Sequence, residues 1–313
     1  MELRHAAPFH PAPWARGPHA QTILSHLWKS PFAHLPWVQE NLDLEPGETL
    51  RLEVLTGNTN TVVVLFHGLG GHSGSSYMHR NASLAANRGH SIIAVNHRGS
   101  GLGRGMAHKP YNCGSTGDVA AVIAHARRRF PGKRIVTVGF SLSAAMLVLL
   151  LGRDQHLEQP DAAIAINPPG DLEACSQRLI RGLNRLYDRR FLNLLREHVQ
   201  GRADAPILPP MRTLRDFDAV YTAPQAGYAD RADYYAQCSC GDYLAHIQTP
   251  LVLLTSEDDP FAPASDLGHA SPAVLRHQER HGGHCGYLSA KNTPLGTRRW
   301  MDYAVDHYLA QLS

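Results

Sequence analysis

At 313 residues, with 43% apolar and 18% charged side chains and a formal net charge of +3, the chain can bury one large core or two modest ones. This excludes a disordered or strongly basic chain, and no Lys/Arg block is long enough to track nucleic acid, the run Arg127-Arg128-Arg129 reading as a solvated face. Five cysteines (Cys113, Cys175, Cys238, Cys240, Cys285) without a repeated ligand spacing argue against a disulfide framework or zinc ribbon, and the longest apolar run, 144–151, is too short to span a bilayer.

Residues 1–40 scatter His5, His10, Trp14, His19, His26, Trp28, Phe32, His34 and Trp37 among prolines. They predict an irregular arm, with a short helix over 19–29, that packs on the body to hide its tryptophans. A strand pair over 41–45 and 49–55 turns at Pro46-Gly47. From Thr61, apolar β-prone runs at 62–66, 91–95, 134–138, 162–166 and 251–255 alternate with helix-compatible stretches at 77–87, 115–129 and 142–151. Each run is bounded by Gly, Pro or polar residues, as strands buried on both faces of a parallel sheet are. The alternation predicts right-handed β-α-β crossovers and an open α/β sheet flanked by helices.

The interval 171–246 interrupts this pattern. Its first part reads as an amphipathic helix with Leu179, Leu183, Leu186 and Phe191 on the apolar side, followed by a tyrosine-rich segment at 221–243. The economical interpretation is a helical cap inserted above the sheet, contributing substrate walls within a single domain spanning 1–313. A weaker strand at 273–278 and a closing helix at 297–311, whose Trp300, Tyr303 and Tyr308 read as sheet-packing material, complete the chain. No internal repeat replaces this scheme.

Ser141 follows RIVTVGF and precedes LSAAMLVLL, a tight strand-to-helix junction that can hold its hydroxyl above the sheet. A serine hydroxyl is a poor nucleophile until a base takes its proton. Among 20 histidines, His284 is favoured by its glycine-rich loop, HGGHCGY, between the weak strand and the closing helix. His281 is the alternative, while His67 and His97 suit bracing roles. The imidazole needs an acceptor on its second nitrogen. Asp259, in SEDDPFAP, follows the strand at 251–255, at the end where functional groups collect in open α/β sheets, and Asp258 is the substitute. Leu142 offers an N–H just after the nucleophile, and Leu69, in FHGLGG, offers a second, a pair of oxyanion donors already in place. The glycines of HGLGGHSGSS lack the lysine of a phosphate loop, and Asp258, Asp259, His281 and His284 fit no zinc-site spacing. The chemistry requires no cofactor and no metal.

At these residues the chain resembles the YheT-like branch of the α/β-hydrolase superfamily, which also contains eukaryotic abhydrolase-domain lipid hydrolases. The resemblance covers nearly the whole chain through FHPAPWARGPHAQTIL, FHGLGG, NHRGSGLGRG, YNCGSTGDV, GFSLS, FDAVYTAPQAGYADRADYY, SEDDPF and GGHCGY. It implies Ser141 as nucleophile, Asp259 as relay acid and His284 as base. It also puts His19, Gln21, Arg98, Gly114, Thr116, Asp118 and the segment 221–235 at recurrent framework positions, Arg98 being able to pair with Asp118. In one departure, Ser143 stands where the elbow pattern ends in Gly. A side chain at that crossing predicts strain or a slightly wider approach, eased by the small Ala144 and Ala145.

The expected activity is acyl transfer to water. His284 takes the Ser141 proton, Ser141 attacks an ester carbonyl, the Leu69 and Leu142 N–H groups hold the oxyanion, and water regenerates the enzyme. The apolar cap and the resemblance favour a carboxylic ester with a hydrophobic acyl chain over a peptide or phosphoester. The expected partner is thus a small, lipid-like ester, with no nucleic acid and no integral membrane segment, in the cytoplasm. The same triad would also serve an acyltransferase or thioesterase, and a hydrolase-fold binding protein without turnover is the non-enzymatic alternative.

Overall fold

Strands β1 (Val38–Glu45) and β2 (Glu48–Leu55) pair antiparallel across Pro46-Gly47, where Gly47 supplies the left-handed φ of +80° that the tight turn needs. The computed structural model describes residues 3–28, 34–201 and 205–313; Phe32 and position 29 of the expected arm helix lie outside them. The apolar runs become β3 (Thr61–Phe66), β4 (Ser91–Asn96), β5 (Arg134–Phe140), β6 (Ala162–Ile166) and β7 (Leu251–Ser256), followed by β8 (Val274–Glu279). Every residue of β3 to β7 except Arg134 is buried, which is why these strands read as continuous apolar runs rather than as alternations. The sheet runs β1-β2-β4-β3-β5-β6-β7-β8, antiparallel at β1/β2 and β2/β4 and parallel elsewhere.

Helices α1 (Pro18–Leu27), α2 (Ser76–Asn87), α3 (Thr116–Arg129) and α4 (Leu142–Gly152) precede β6. Between β6 and β7 lie α5 (Leu172–Leu179), α6 (Arg185–Gln200), α7 (Leu214–Phe217), α8 (Ala223–Gln225) and α9 (Arg231–Cys238), and α10 (Trp300–Leu312) closes the chain. Successive strand residues point to opposite faces. Val63 and Leu65 therefore meet Met78, Ala82 and Ala85 of α2 and Val305 and Leu309 of α10, whereas Val62, Val64 and Phe66 meet Val122, Ile123 and Ala126 of α3. Each such aliphatic side chain stabilises the fold by about 1.5–3 kcal/mol on burial. Helix α4 is buried along its entire length, consistent with a sequence apolar on every face. Among the described residues no helix is long and apolar enough to cross a membrane.

Two local expectations are corrected. Leu183 and Leu186, assigned to an apolar helical face, are each 63% exposed, and α6 buries Tyr187, Leu192, Leu195 and Val199 instead. The helical period does not run through: α5 stops at Leu179, Arg181 is extended, and a short 3-10 turn over Gly182–Asn184 resets the phase before α6. Likewise Trp14 and Trp28 are not hidden. They pack edge-to-face against each other at 5.4 Å and stay 47% and 41% exposed, while Phe9, Ala12, Ala15 and Gln21 make the buried contacts of the segment before β1. Arg98 does pair with Asp118, through two bonds of 2.7 Å, and also reaches Glu48, which ties the β4 end to β2 and α3.

Candidate active site

Strand β5 ends at Phe140 and α4 begins at Leu142, so Ser141 alone makes the turn, at φ +54° and ψ −116°. L residues rarely adopt such a conformation, and it persists only where the surroundings hold it. Here the Ser141 N–H donates to the Ile166 carbonyl (2.8 Å), and the Ser141 carbonyl accepts from Ala144 (2.9 Å). Two glycines make room. A Cβ on Gly139 would lie 2.6 Å from the Ser143 carbonyl oxygen, and one on Gly68 would lie 3.1 Å from the Ser141 Cβ.

Ser143 is accommodated at the crossing and ties the strand ends together. Its buried hydroxyl donates to the His67 carbonyl and accepts from His97 Nε2–H at 2.8 Å. The His67 ring donates from Nδ1 to the Gly68 carbonyl (2.8 Å) and accepts the His97 backbone N–H on Nε2 (3.2 Å), so His67 braces the loop as its position suggested. Burial pushes the His97 imidazole down to about 3, which keeps it neutral near pH 7. The ends of β3 and β4 and the start of α4 thus share one hydrogen-bonded network. Ser143→Ala would leave the His67 carbonyl and His97 N–H buried without this partner, at an expected cost of about 2–4 kcal/mol in urea unfolding. A change below about 0.5 kcal/mol would mean that the hydroxyl does no stitching.

The loops after β7 and β8 bring the acid and the imidazole to the elbow. His284 Nε2 lies 2.7 Å from Ser141 Oγ, and His284 Nδ1 lies 2.7 Å from Asp259 Oδ2. The side chains of His284 and Asp259 are 9% and 0% exposed. Asp259 Oδ1 accepts the backbone N–H groups of Phe261 (3.1 Å) and Ala262 (2.9 Å), and Oδ2 also accepts from Asn167 Nδ2 (2.9 Å). Asp258 faces the other way. It accepts the Gly283 N–H (2.9 Å) and pairs with the exposed His281 at 3.3 Å, so the four acid and histidine groups form two separate pairs. Helix α1 supports the histidine loop from below: Thr22 Oγ1 accepts the His284 N–H (2.9 Å), and the Gln21 side chain bonds both the N–H and the carbonyl of Leu288.

Around Leu69 the amides alternate in occupancy. Gly68 N–H donates to the Tyr77 hydroxyl (2.9 Å), Gly70 N–H to the Tyr111 hydroxyl (2.7 Å) and Gly71 N–H to the Gly68 carbonyl (3.0 Å). Among the described residues, the Leu69 and Leu142 N–H groups have no such acceptor. Burial raises the Tyr77 phenol and pushes that of Tyr111 up to about 12, which keeps both neutral while they pin the loop on either side of Leu69. Tyr77, Tyr111 and Asn167 had no place in the sequence reading. Tyr111 lies in the quoted YNCGSTGDV segment, but nothing in the chain marks a partner 41 residues away.

Ser141, Leu142, Leu69 and His284 line a pocket between the strand ends and the insertion that follows β6. Leu172, Leu179, Phe191, Leu195 and Phe261 are among the residues of its apolar wall.

The sequence profile of the alpha/beta hydrolase fold matches residues 61–291. The YheT protein of Escherichia coli K12, named as an esterase, is 31% identical over 98% of this chain and 94% of its own length. The monoacylglycerol lipase of Saccharomyces cerevisiae is 27% identical over 76% of this chain and 56% of its own. An esterase of Pyrococcus furiosus has the same fold, with a TM-score of 0.59 over 100% of both chains at 14% identity.

Proposed function

The chain belongs to the α/β-hydrolase fold family and to its YheT-like esterase branch, and we propose that it hydrolyses carboxylic esters with Ser141 as nucleophile, His284 as base and Asp259 as the acid that orients it. The observation that carries this reading is the continuous relay from Ser141 Oγ through both ring nitrogens of His284 to Asp259, each link 2.7 Å. His284 Nε2 takes the hydroxyl proton as Oγ bonds the carbonyl carbon. The oxygen that becomes negative is held by the Leu69 and Leu142 N–H groups. The imidazolium then protonates the alcohol oxygen, the C–O bond breaks, and water repeats the sequence on the acyl-enzyme. Asp259, held by its backbone donors and Asn167, stabilises the imidazolium.

The chain is read as a single domain with residues 1–40 as an arm and 171–246 as its cap. The leucines and phenylalanines that this cap contributes to the pocket support an ester with a hydrophobic acyl chain. The test is a fluorophosphonate reaction followed by intact mass and peptide mapping, alongside a panel of esters of increasing acyl length. One stoichiometric adduct on Ser141 is expected, with kcat/KM rising about threefold to fourfold per added methylene while the pocket accommodates it. An adduct mapped elsewhere, or none on the folded protein, would reject the assignment.

A further inference from the structure

The pocket that opens on Ser141 is not apolar throughout. Ser176, Asp218, Thr222 and Tyr235, all from the insertion, line it together with the leucines and phenylalanines. Asp218 is 7% exposed, and its Oδ2 accepts the Tyr235 hydroxyl at 2.7 Å. Burial pushes its carboxyl up to about 6, so above neutral pH it is an ionised, acceptor-only group in an apolar wall. A carboxylate offers about four lone-pair directions, and the Tyr235 hydroxyl occupies one. Two cations lie nearby without an ion pair to Asp218 among the described residues: Arg215 pairs with Glu173 at 2.8 Å and donates to the Ser176 hydroxyl, and Arg231, whose charge favours the ionised carboxylate, lies over the Tyr235 ring at 5.9 Å.

The backbone at this point is equally unusual. Asp218–Thr222 forms a turn of π-helix between α7 and α8, closed by the Ala223 N–H on the Asp218 carbonyl, and Pro224 follows without an N–H to continue the α-helical ladder. Such wide turns recur at functional sites. The same stretch is the FDAVYTAPQAGYADRADYY segment, which the triad does not use, although Phe217, Asp218, Thr222, Tyr234 and Tyr235 from it all line the pocket. A buried carboxylate that served packing alone would be costly where an apolar side chain fits.

We propose that Asp218 is a specificity residue, whose carboxylate accepts a hydrogen bond from a hydroxyl carried by the ester substrate away from the scissile bond. The inference deepens the ester-hydrolase reading and rests on it. A neutral hydroxyl suits the site better than a cation, because it loses far less hydration on entering an apolar pocket and because the donor already on Asp218 is a hydroxyl.

The experiment uses pairs of esters matched in length. The propanediol monoester of octanoic acid is compared with its butyl ester, which puts the hydroxyl on the alcohol side, and ethyl ω-hydroxyoctanoate with ethyl nonanoate, which puts it on the acyl side. The wild-type enzyme is expected to favour the hydroxylated member of one pair by about 10- to 100-fold in kcat/KM. In Asp218→Leu/Tyr235→Phe, which removes acceptor and donor together so that neither is left buried alone, the ratio should fall to within about threefold, with fluorophosphonate labelling retained as the sign of an intact fold. The same pairs are titrated into Ser141→Ala, where the binding ratio is read without turnover. A failed nucleophile assignment would then appear as wild-type labelling away from Ser141, and a failed specificity assignment as ratios near one. Equal losses on both members with an unchanged ratio would make Asp218 structural and overturn the proposal. A preference for the choline ester of octanoic acid that the double variant abolishes would overturn it in favour of a cation site.

Discussion

Ser141→Ala and His284→Ala are each expected to lower kcat on a short-chain ester by at least about 10⁴-fold, and the double variant by no more than the worse of the two. Ser141 Oγ and His284 Nε2 share one proton across 2.7 Å, so neither does useful work once the other is gone. The activity that survives should be that of the Leu69 and Leu142 amides, which on the proposed mechanism need neither side chain to hold an oxyanion; such sites retain about 10³–10⁴ over water. Stability should change little, because the backbone bonds to Ile166 and Ala144 that hold the elbow do not involve the Ser141 hydroxyl. Initial rates and urea midpoints on the three variants make the check. Losses that multiply in the double variant would mean that the two side chains act in separate steps.

What the chain disclosed in advance divides along physical lines. The buried strands were legible because burial on both faces leaves uninterrupted apolar runs, and α4 because almost no polar residue interrupts it between Leu142 and Gly152. Ser141 was legible as the residue between such a strand and such a helix. The buried face of the insertion was not, since its hydrophobic period breaks at Arg181 and no local signal announces the change of phase that leaves Leu183 and Leu186 exposed. The bonding role of Ser143 was missed for a related reason. A side chain at a close crossing reads as an obstacle until its partners are known, and these come from His67 and His97, 76 and 46 residues away. Asn167, Tyr77 and Tyr111 support the site through hydrogen bonds to residues 92, 9 and 41 positions away, which leave no periodicity behind. The choice between Asp258 and Asp259 was a question of orientation that adjacent identical residues cannot answer from sequence.

Asp259→Asn is expected to cost about 10⁴-fold in kcat, and Asp258→Asn less than about 10-fold, although the two acids are neighbours in the chain and each approaches a histidine. The difference lies in what an amide does at each place. At Asp259 the oxygen facing His284 Nδ1 already accepts from Asn167 Nδ2, and the other accepts the N–H groups of Phe261 and Ala262. Whichever way the substituted amide is turned, its NH₂ faces a donor: either Asn167 and the His284 Nδ1–H or two backbone amides. The first orientation drives the imidazole proton from Nδ1 to Nε2, where it points at Ser141 and can no longer receive the hydroxyl proton. The second breaks the loop's own hydrogen bonds. At Asp258 an amide oxygen can still accept the Gly283 N–H, and the bond lost is to His281, which is 55% exposed at its side chain and weakly coupled through water. Steady-state rates with urea midpoints separate the outcomes. Comparable losses in the two variants would make the carboxylates jointly responsible for the loop, and the sole orienting role of Asp259 would be lost with that result.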